Sequence, residues 1–551
     1  MTIPESDKPS GANRANLIAK PQPSLPRWTR ILPIAILALY LFVLLGRFAY
    51  KDALFLTFFD DDYFYYLVVA KNIVLHGTST FNGIQITNGY HPLWLLINTL
   101  LYSIFGDHKS FFVVLILLVW LLVCGAYRAL RRTQNSLHIA TAYGLPCLLF
   151  SLTFMAVICR TAMEISLTLF FLALLWQRMA AQPLEEQTPR SAILSGLVAS
   201  GAVLGRLDAN LIVIVYAALM LYKPATTRKA ALRSLLYFGI GLLPIAAYLA
   251  INHHVFGALL PISGFAKNLK GTFIPSDSTL RSLLEKRAIN ATLVWPACAL
   301  GLLFILHLIR RPRDRDSVNI GGQRVQLCVF LHPLLFYTIL SFTSDWQIWS
   351  WYFYPLVPIA AILGPPVLAD WKFFQSQTAL RIATAGAACL ALFTLIGSLR
   401  INSVNLLLLQ QAEELRTFSN AHPGVYSMGG GAGFPAYLMS SPVVQLEGLM
   451  GDVPFLERVK QKQPLVQALN ELHVDYYITM LLADNFDPNS PCYDVREPEK
   501  AGHQSPVMAA HICTKPVADF DHSDPVSPHH LLVFDVHTLV SPAEVAAEER
   551  H

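Results

Sequence analysis

Twelve apolar stretches recur between residues 31 and 399, near 31–49, 92–105, 111–127, 139–158, 162–176, 191–205, 209–222, 234–252, 291–309, 325–342, 351–369 and 378–399. No other feature of the chain restricts its fold as strongly. With 54% hydrophobic and only 14% charged residues over 551, and a mean hydropathy of +0.45, the sequence is too apolar for a soluble protein of this size. Some stretches fall short of the roughly 20 residues a span needs, but flanking aromatic and small residues extend them. The expected fold is therefore mainly α, a polytopic transmembrane helix bundle of about 11–13 spans.

Basic residues orient the bundle. Lys8, Arg14, Lys20, Arg27 and Arg30 precede the first apolar run, which lacks a small-residue cleavage site and reads as a retained span. Basic clusters recur at Arg128/Arg131/Arg132, Arg178/Arg190, Lys223/Arg228/Lys229/Arg233, Arg310/Arg311/Arg313/Arg315 and Lys372/Arg381. The positive-inside rule puts each in the cytoplasm. Residues 50–91, 159–163, 206–208, 253–290, 343–350 and everything after about 400 then face outward. One conflict remains: the runs at 92–105 and 111–127 must together make a single net crossing to bring Arg128 inside. The net charge of +5 is accounted for by these loops and gives no reason to invoke nucleic acid.

Three parts follow. Residues 1–30 are polar, Pro-rich and expected to be a disordered cytoplasmic N-terminus; 31–400 form the membrane domain; and 401–551 form a small outward-facing soluble α/β domain. In that last part, Gly424–Gly433 carries a glycine run, Val443–Leu446 reads as a strand, and a helical pattern at 464–472 leads into a strand at Val474–Thr479. The glycine run resembles a dinucleotide fingerprint only loosely and lacks its acidic partner, so tight turns are the better account. Most of the eight cysteines lie in apolar runs; Cys492 and Cys513 lie in the outward tail, where an oxidising compartment could join them.

The chemistry concentrates in the first outward loop, 50–91. Asp60-Asp61-Asp62 and the aromatics around them, including Tyr65 and Tyr66, sit where a membrane helix meets water. Three adjacent carboxylates cannot all ionise comfortably near low-dielectric surroundings, so one is expected to have a raised pKa suited to a base. A solvated acidic loop is the plain alternative. The stretch Tyr65–Ile73 is expected to be an interfacial helix, and Thr87-Asn88-Gly89-Tyr90-His91-Pro92-Leu93-Trp94 leads into the next apolar run with proline near its first turn.

The pattern Asp61-Asp62-x-Phe64-Tyr65-Tyr66, Asn72, Gly77, Phe81-Asn82-Gly83 and Thr87 to Trp94 resembles bacterial members of the GT-C glycosyltransferase superfamily, the aminoarabinose and protein mannosyltransferase-like group. The resemblance implies a polytopic enzyme using a polyprenyl-phosphate-linked sugar, with an essential acidic residue in the first outward loop. Asp61 takes the place of that aspartate and Asp62 that of the acidic residue often following it. Asp60 is extra, leaving the register open by one residue.

Such chemistry needs a base for the acceptor hydroxyl, alignment with the anomeric carbon, and cations for the departing phosphate. The outward cations are His91, Arg160, Arg206 and Lys267, of which Lys267 and Arg206 are the leading phosphate partners. Arg160 lies four residues before Glu164 and Arg206 two before Asp208, so either pair could instead be a self-neutralising structural unit. Tyr65, Tyr66, Asn88, Glu164, Asp208 and Tyr352 complete the candidate substrate-binding set. Trp346, Trp349, Trp351, Tyr352 and Tyr354 read as an interfacial belt or as a sugar-stacking wall. The acidic run could hold Mg²⁺ or Mn²⁺ with waters, but neighbouring helical residues point apart, and the reading requires no metal.

The sequence therefore predicts a glycosyltransferase of the bacterial inner membrane, active on its outer face. It would move a hexosyl or pentosyl unit by inverting displacement from a polyprenyl-phosphate donor to a cell-envelope glycan, glycolipid or protein. Membrane lipids are its other partners. The rivals are a transporter or flippase of lipid-linked sugars and a noncatalytic envelope-assembly partner; no internal repeat of the transporter kind is visible.

Overall fold

The computed structural model describes Pro26, Thr29 and residues 31–50, 52–222, 224–310, 320–482, 492–522 and 529–539. The N-terminal segment expected to be disordered, and the basic residues Lys223, Arg311, Arg313 and Arg315, lie outside the described residues.

The membrane part begins with α1 (Leu32–Gly46), followed by α2 (Asp61–His76), α3 (Pro92–Phe105), α4 (Lys109–Ser136), α5 (Thr141–Cys159) and α6 (Ile165–Ala181). Next come α7 (Pro189–Gly205), α8 (Asn210–Tyr222), α9 (Arg228–Gly241), α10 (Leu243–Phe256) and the short α11 (Ile262–Lys267) and α12 (Ser278–Leu284). The bundle closes with α13 (Trp295–Arg310), α14 (Ile320–Thr343), α15 (Val357–Asp370) and α16 (Gln377–Gly397). Among the described residues, seven helices are long and apolar enough to cross a membrane, or eight if the 49° bent pair α9 and α10 counts as one span. Three shorter apolar helices, at Pro92–Phe105, Ile165–Ala181 and Leu207–Tyr222, take up three more of the apolar runs, and α7 takes up the run at 191–205.

Helix lengths remove the conflict between residues 92 and 127. With 14 residues, α3 is about 21 Å long, short of a hydrocarbon core of about 30 Å, whereas the 28-residue α4 reaches about 42 Å. The apolar signal ends near 127, but the helix continues through Arg128, Arg131 and Arg132, so α4 alone of the two is long enough to make the crossing.

The remaining chain is α17 (Ser403–Ala421) and a small α/β unit: β1 (Tyr426–Met428), α18 (Gly433–Leu438), β2 (Val443–Gln445), α19 (Val453–Lys460), α20 (Leu465–Glu471) and β3 (Tyr476–Leu482). Strands β4 (Tyr493–Glu497), β5 (Met508–Ile512), β6 (Ala518–His522) and β7 (His529–Asp535) complete it. The main sheet has the order β2-β1-β3-β7-β6, parallel among β2, β1 and β3 and antiparallel beyond. β4 and β5 form a separate hairpin, and Cys492 and Cys513 at its open end are joined in a disulfide.

The two parts meet on α2. Two aspartates in its first turn lie where the helix dipole favours negative charge. Every residue from Tyr63 to Ala70 is buried, so this half of α2 is enclosed on all sides and not laid along an interface as expected, and the helix reaches the surface only at Val74 and Leu75. Phe64 packs on Phe434 with ring centres 4.3 Å apart, and Asn405 of α17 donates to the carbonyls of Thr57 and Phe59, both at 2.9 Å. Two glycines permit the closest approaches. A Cβ on Gly433 would stand 2.2 Å from the carbonyl oxygen of Asp61, and one on Gly89 would stand 1.8 Å from that of Leu449.

Because both neighbours are backbone atoms with no rotamer to escape into, G433A and G89A are expected to separate the two parts at a cost of at least about 1–3 kcal/mol. Thermal unfolding of the detergent-solubilised protein measures this. A wild-type midpoint for both variants would show that the junction is not close-packed.

Candidate active site

Segments assigned to one side by the charge rule converge. The loop after α1, the α6 N-terminus, the α7–α8 connection, the stretch around α11 and the turn after α14 line one cavity of about 440 Å³, joined by Leu449 and Met450 of the C-terminal unit. Asp62, Tyr65, Tyr66, His91, Glu164, Arg206, Asp208, Lys267 and Tyr352 all line it. Asp60, Asp61, Arg160 and Asn88 do not.

The three aspartates have separate surroundings. Asp61 turns to the C-terminal unit, where its carboxylate accepts the backbone N–H groups of Gly433 at 3.1 Å and Phe434 at 2.8 Å. Burial pushes it up to about 7, against those two hydrogen bonds. Burial likewise pushes Asp60 up to about 6, with the charge of Asp62 adding to the shift and that of Arg160 opposing it. Asp62 is the member of the run that reaches the cavity. Successive residues on a helix point about 100° apart, so three consecutive aspartates cannot share one target.

Arg206 is the hub of a buried ion cluster. Its Nη1 donates to Glu164 at 2.7 Å, and its Nε to both oxygens of Asp208 at 3.0 and 2.9 Å. Its guanidinium lies over the rings of Tyr352 and Tyr354, 4.6 and 5.3 Å from their centres. Tyr66 donates to the second oxygen of Glu164 at 3.2 Å, and Tyr354 to Asp208 at 3.0 Å. The pairing of Arg206 with Asp208 is thus present as the spacing suggested, but Glu164 pairs with Arg206 and not with Arg160. The carbonyl of Arg160 instead accepts from Arg47 at 2.8 Å. With two carboxylates on one guanidinium, Arg206 has no charge to spare for a phosphate.

His91 is not a cation either. Burial, with Arg206 adding to it, pulls the imidazole down to about 3. Its Nδ1 accepts the Leu207 N–H at 3.4 Å, so the proton sits on Nε2, 3.8 Å from Glu164. Asn88 works at one remove: its carboxamide accepts the Ile262 N–H at 2.9 Å and donates to the Leu260 carbonyl at 3.4 Å, fixing the start of α11. That short helix ends in Lys267, whose ammonium donates to the Tyr352 hydroxyl at 3.2 Å and lies 5.9 Å from the Trp346 ring centre. Burial pulls Lys267 down, but Tyr352, Asp62 and Glu447 outweigh it and hold it above its ordinary value. Among the described residues it is the cavity-lining cation with no carboxylate within ion-pair distance. The aromatic cluster divides: Trp346, Trp351 and Tyr352 line the cavity, whereas Trp349 stacks outside on Trp351 at 6.0 Å.

The cavity has two chemically different ends. Asp62, His91, Arg206 and Lys267 make one polar; Leu211, Ile214, Phe336, Ile339 and Leu340 make the other apolar, between α8 and α14. Ile214 and Ile339 are also exposed, at 60% and 48%, so the apolar part of the lining is open and not sealed within the bundle.

No family model and no curated protein matches the sequence. Its fold does match solved structures. The archaeal oligosaccharyltransferase AglB from Archaeoglobus fulgidus, in complex with an inhibitory peptide and a dolichol-phosphate, is 8% identical with a TM-score of 0.50, over 82% of this chain and 70% of that one. ArnT from Cupriavidus metallidurans bound to undecaprenyl phosphate is 12% identical with a TM-score of 0.49, over 88% of this chain and 98% of that one. The Archaeoglobus fulgidus oligosaccharyltransferase in complex with Zn and sulfate is 10% identical with a TM-score of 0.46, over 80% of this chain and 67% of that one. The chain has the GT-C fold. Leu449, Met450 and the charged residues Glu447 and Lys500 were not singled out from sequence, because no local pattern ties the C-terminal unit to the first loop.

Replacing Arg206 by Met would leave two buried carboxylates unpaired, which typically costs about 3–5 kcal/mol. R206M is expected to lower the thermal midpoint sharply, and adding E164Q and D208N to recover much of the loss. An R206M midpoint close to wild type would show that the cluster is not the structural hub described.

Proposed function

We propose that this chain is a membrane glycosyltransferase that takes a sugar from a polyprenyl-phosphate donor and places it on a cell-envelope acceptor by direct displacement with inversion. The observation that carries this reading is the two-ended cavity: an apolar end between α8 and α14 suits an isoprenoid tail, and a polar end suits a phosphosugar. Dolichol-phosphate, in complex with AglB, is a polyprenyl phosphate, the lipid part of such a donor.

The residues assign the steps. Asp62 takes the proton of the acceptor hydroxyl as its oxygen bonds to the anomeric carbon. The bond from that carbon to the phosphate oxygen breaks, and its electron pair leaves with the polyprenyl phosphate. Lys267 meets the charge that builds on that phosphate. Arg206, locked to Glu164 and Asp208, positions the aromatic floor of Tyr352 and Tyr354 instead of binding phosphate. A divalent ion such as Mg²⁺ or Mn²⁺ at Asp62 would take one carboxylate from the acidic run and the rest of its shell from substrate and water. In cellular terms the reading puts the active face and the C-terminal unit on the periplasmic side of the inner membrane.

General-base loss typically costs about 10²–10⁴-fold in rate. Cells lacking the protein should lose a glycolipid or polysaccharide decoration that wild type restores and D62N does not. Restoration by D62N would remove the base; accumulation of an unmodified carrier on the inner face would favour the flippase. The orientation has its own check: a reporter active only in the cytoplasm, fused at the C terminus, should be silent.

A further inference from the structure

The chain between α11 and α12 is pinned on both sides of a bare apolar tip. The Lys270 ammonium donates to the carbonyl of Ser341 at 3.1 Å and to that of Ile274, the Gly271 N–H donates to the Gln504 carbonyl at 3.2 Å, and the Ser276 N–H donates to the Ser341 carbonyl at 2.7 Å. Between these bonds Phe273 and Ile274 are 82% and 62% exposed, and Phe273 lies against Phe342 with ring centres 5.0 Å apart.

Helix α12 follows with its polarity reversed. Thr279 and Ser282, and Ser276 before the helix, are buried, whereas Leu280 and Leu284, one turn apart, are 58% and 60% exposed. Water around a helix favours the opposite order, polar side chains outward and leucines inward. At about 100° per residue, Asp277 and Arg281 stand beside the leucines, and they pair at 2.6 Å. The helix thus has three sides: hydroxyls towards the protein, leucines outward, and an ion pair along the border.

Hydrogen bonds fix its depth. Asn290 opens the 21-residue apolar helix Asn290–Arg310, one of the seven long enough to cross a membrane. Its side chain donates to the carbonyls of Ser282 and Leu283 at 2.7 and 3.1 Å, and Trp295 donates to the Leu283 carbonyl at 2.9 Å. Five residues of helix are about 7 Å, so the end of α12 is level with the first turns of a span about 31 Å long, the thickness of a hydrocarbon core. Trp295 is half-exposed there, and tryptophan is the residue type that marks the boundary of that core. The exposed apolar surface runs on from this point along α13 through Leu302 and Ile309.

We propose that Phe273, Ile274, Leu280 and Leu284 form a membrane-inserted edge, covered by the acyl chains of the leaflet on the cavity side, with the Asp277–Arg281 pair at headgroup level. Reversed polarity argues against water as the normal surroundings of the leucines, and the depth set by Trp295 argues for lipid over a partner standing clear of the membrane. The inference does not depend on glycosyl transfer. It does bear on the cavity, because Phe342, on which Phe273 packs, stands between the cavity-lining Leu340 and Thr343.

Photo-crosslinking of the full-length protein tests this in nanodiscs of phosphatidylethanolamine and phosphatidylglycerol. The substitutions Phe273→p-benzoylphenylalanine, Leu280→p-benzoylphenylalanine and Leu284→p-benzoylphenylalanine are made one at a time, the samples are illuminated, and the peptides are read by mass spectrometry. Each variant should carry the mass of one phospholipid, attached through an acyl chain. The same substitution at Gln461, exposed on the C-terminal unit, should carry none. Attachment to a second copy of this chain, attachment through headgroups alone, absence of a lipid adduct at any of the three positions, or an equal lipid yield at Gln461 overturns the proposal.

Discussion

The contact between the Asp61 carboxylate and the backbone of Gly433 and Phe434 joins two units that otherwise have little in common, a helix bundle and a small mixed sheet. A carboxylate is costly to bury, and here two amide donors offset part of that cost. The geometry that results is specific. Once Asp61 points at α18, the next residue of the helix is turned about 100° away and reaches the cavity, and the Tyr63–Ala70 half of α2 is enclosed on every side. Leu449 lies against Gly89 for the same reason, and the cavity wall is completed by residues that come from the far end of the sequence.

A second constraint is charge balance in a poorly solvated space. Glu164 and Asp208 neutralise Arg206, and the aromatic rings of Tyr352 and Tyr354 cover it. This cluster is rigid and already satisfied. Lys267 is different, because its hydrogen-bond partner is a phenol and not an acid. A site that must admit an anion, let it go and remain folded in between is well served by that division, with one cation committed to structure and another left for substrate.

The apolar runs and basic loops made the fold class legible, and the segments placed on one side by charge do meet around one cavity. The motif in the first loop holds residues that line that cavity, Asp62, Tyr65, Tyr66 and His91 among them. What it could not supply was direction. Three consecutive aspartates look equivalent in sequence, and only the Gly433 contact distinguishes the second from the third. The spacing of Arg160 and Glu164 invited a local pair, but Glu164 reaches across to Arg206, 42 residues away, because both are buried at the same end of the bundle. His91 read as a cation until burial beside Arg206 made it neutral. Helix ends misled in one place: α4 runs past its apolar signal into a basic stretch, since charged side chains at a helix terminus can extend to the interface.

The acidic run thus does more than multiply a catalytic group. Asp60 and Asp61, pushed up to about 6 and about 7, can hold protons near neutral pH at little cost, which spares Asp62 two negative neighbours at once. Burial of the first two carboxyls comes from α18 packing on α2 and from α17 packing on the turn before it. The docking of the C-terminal unit and the raised pKa values of Asp60 and Asp61 are thus two sides of one packing arrangement.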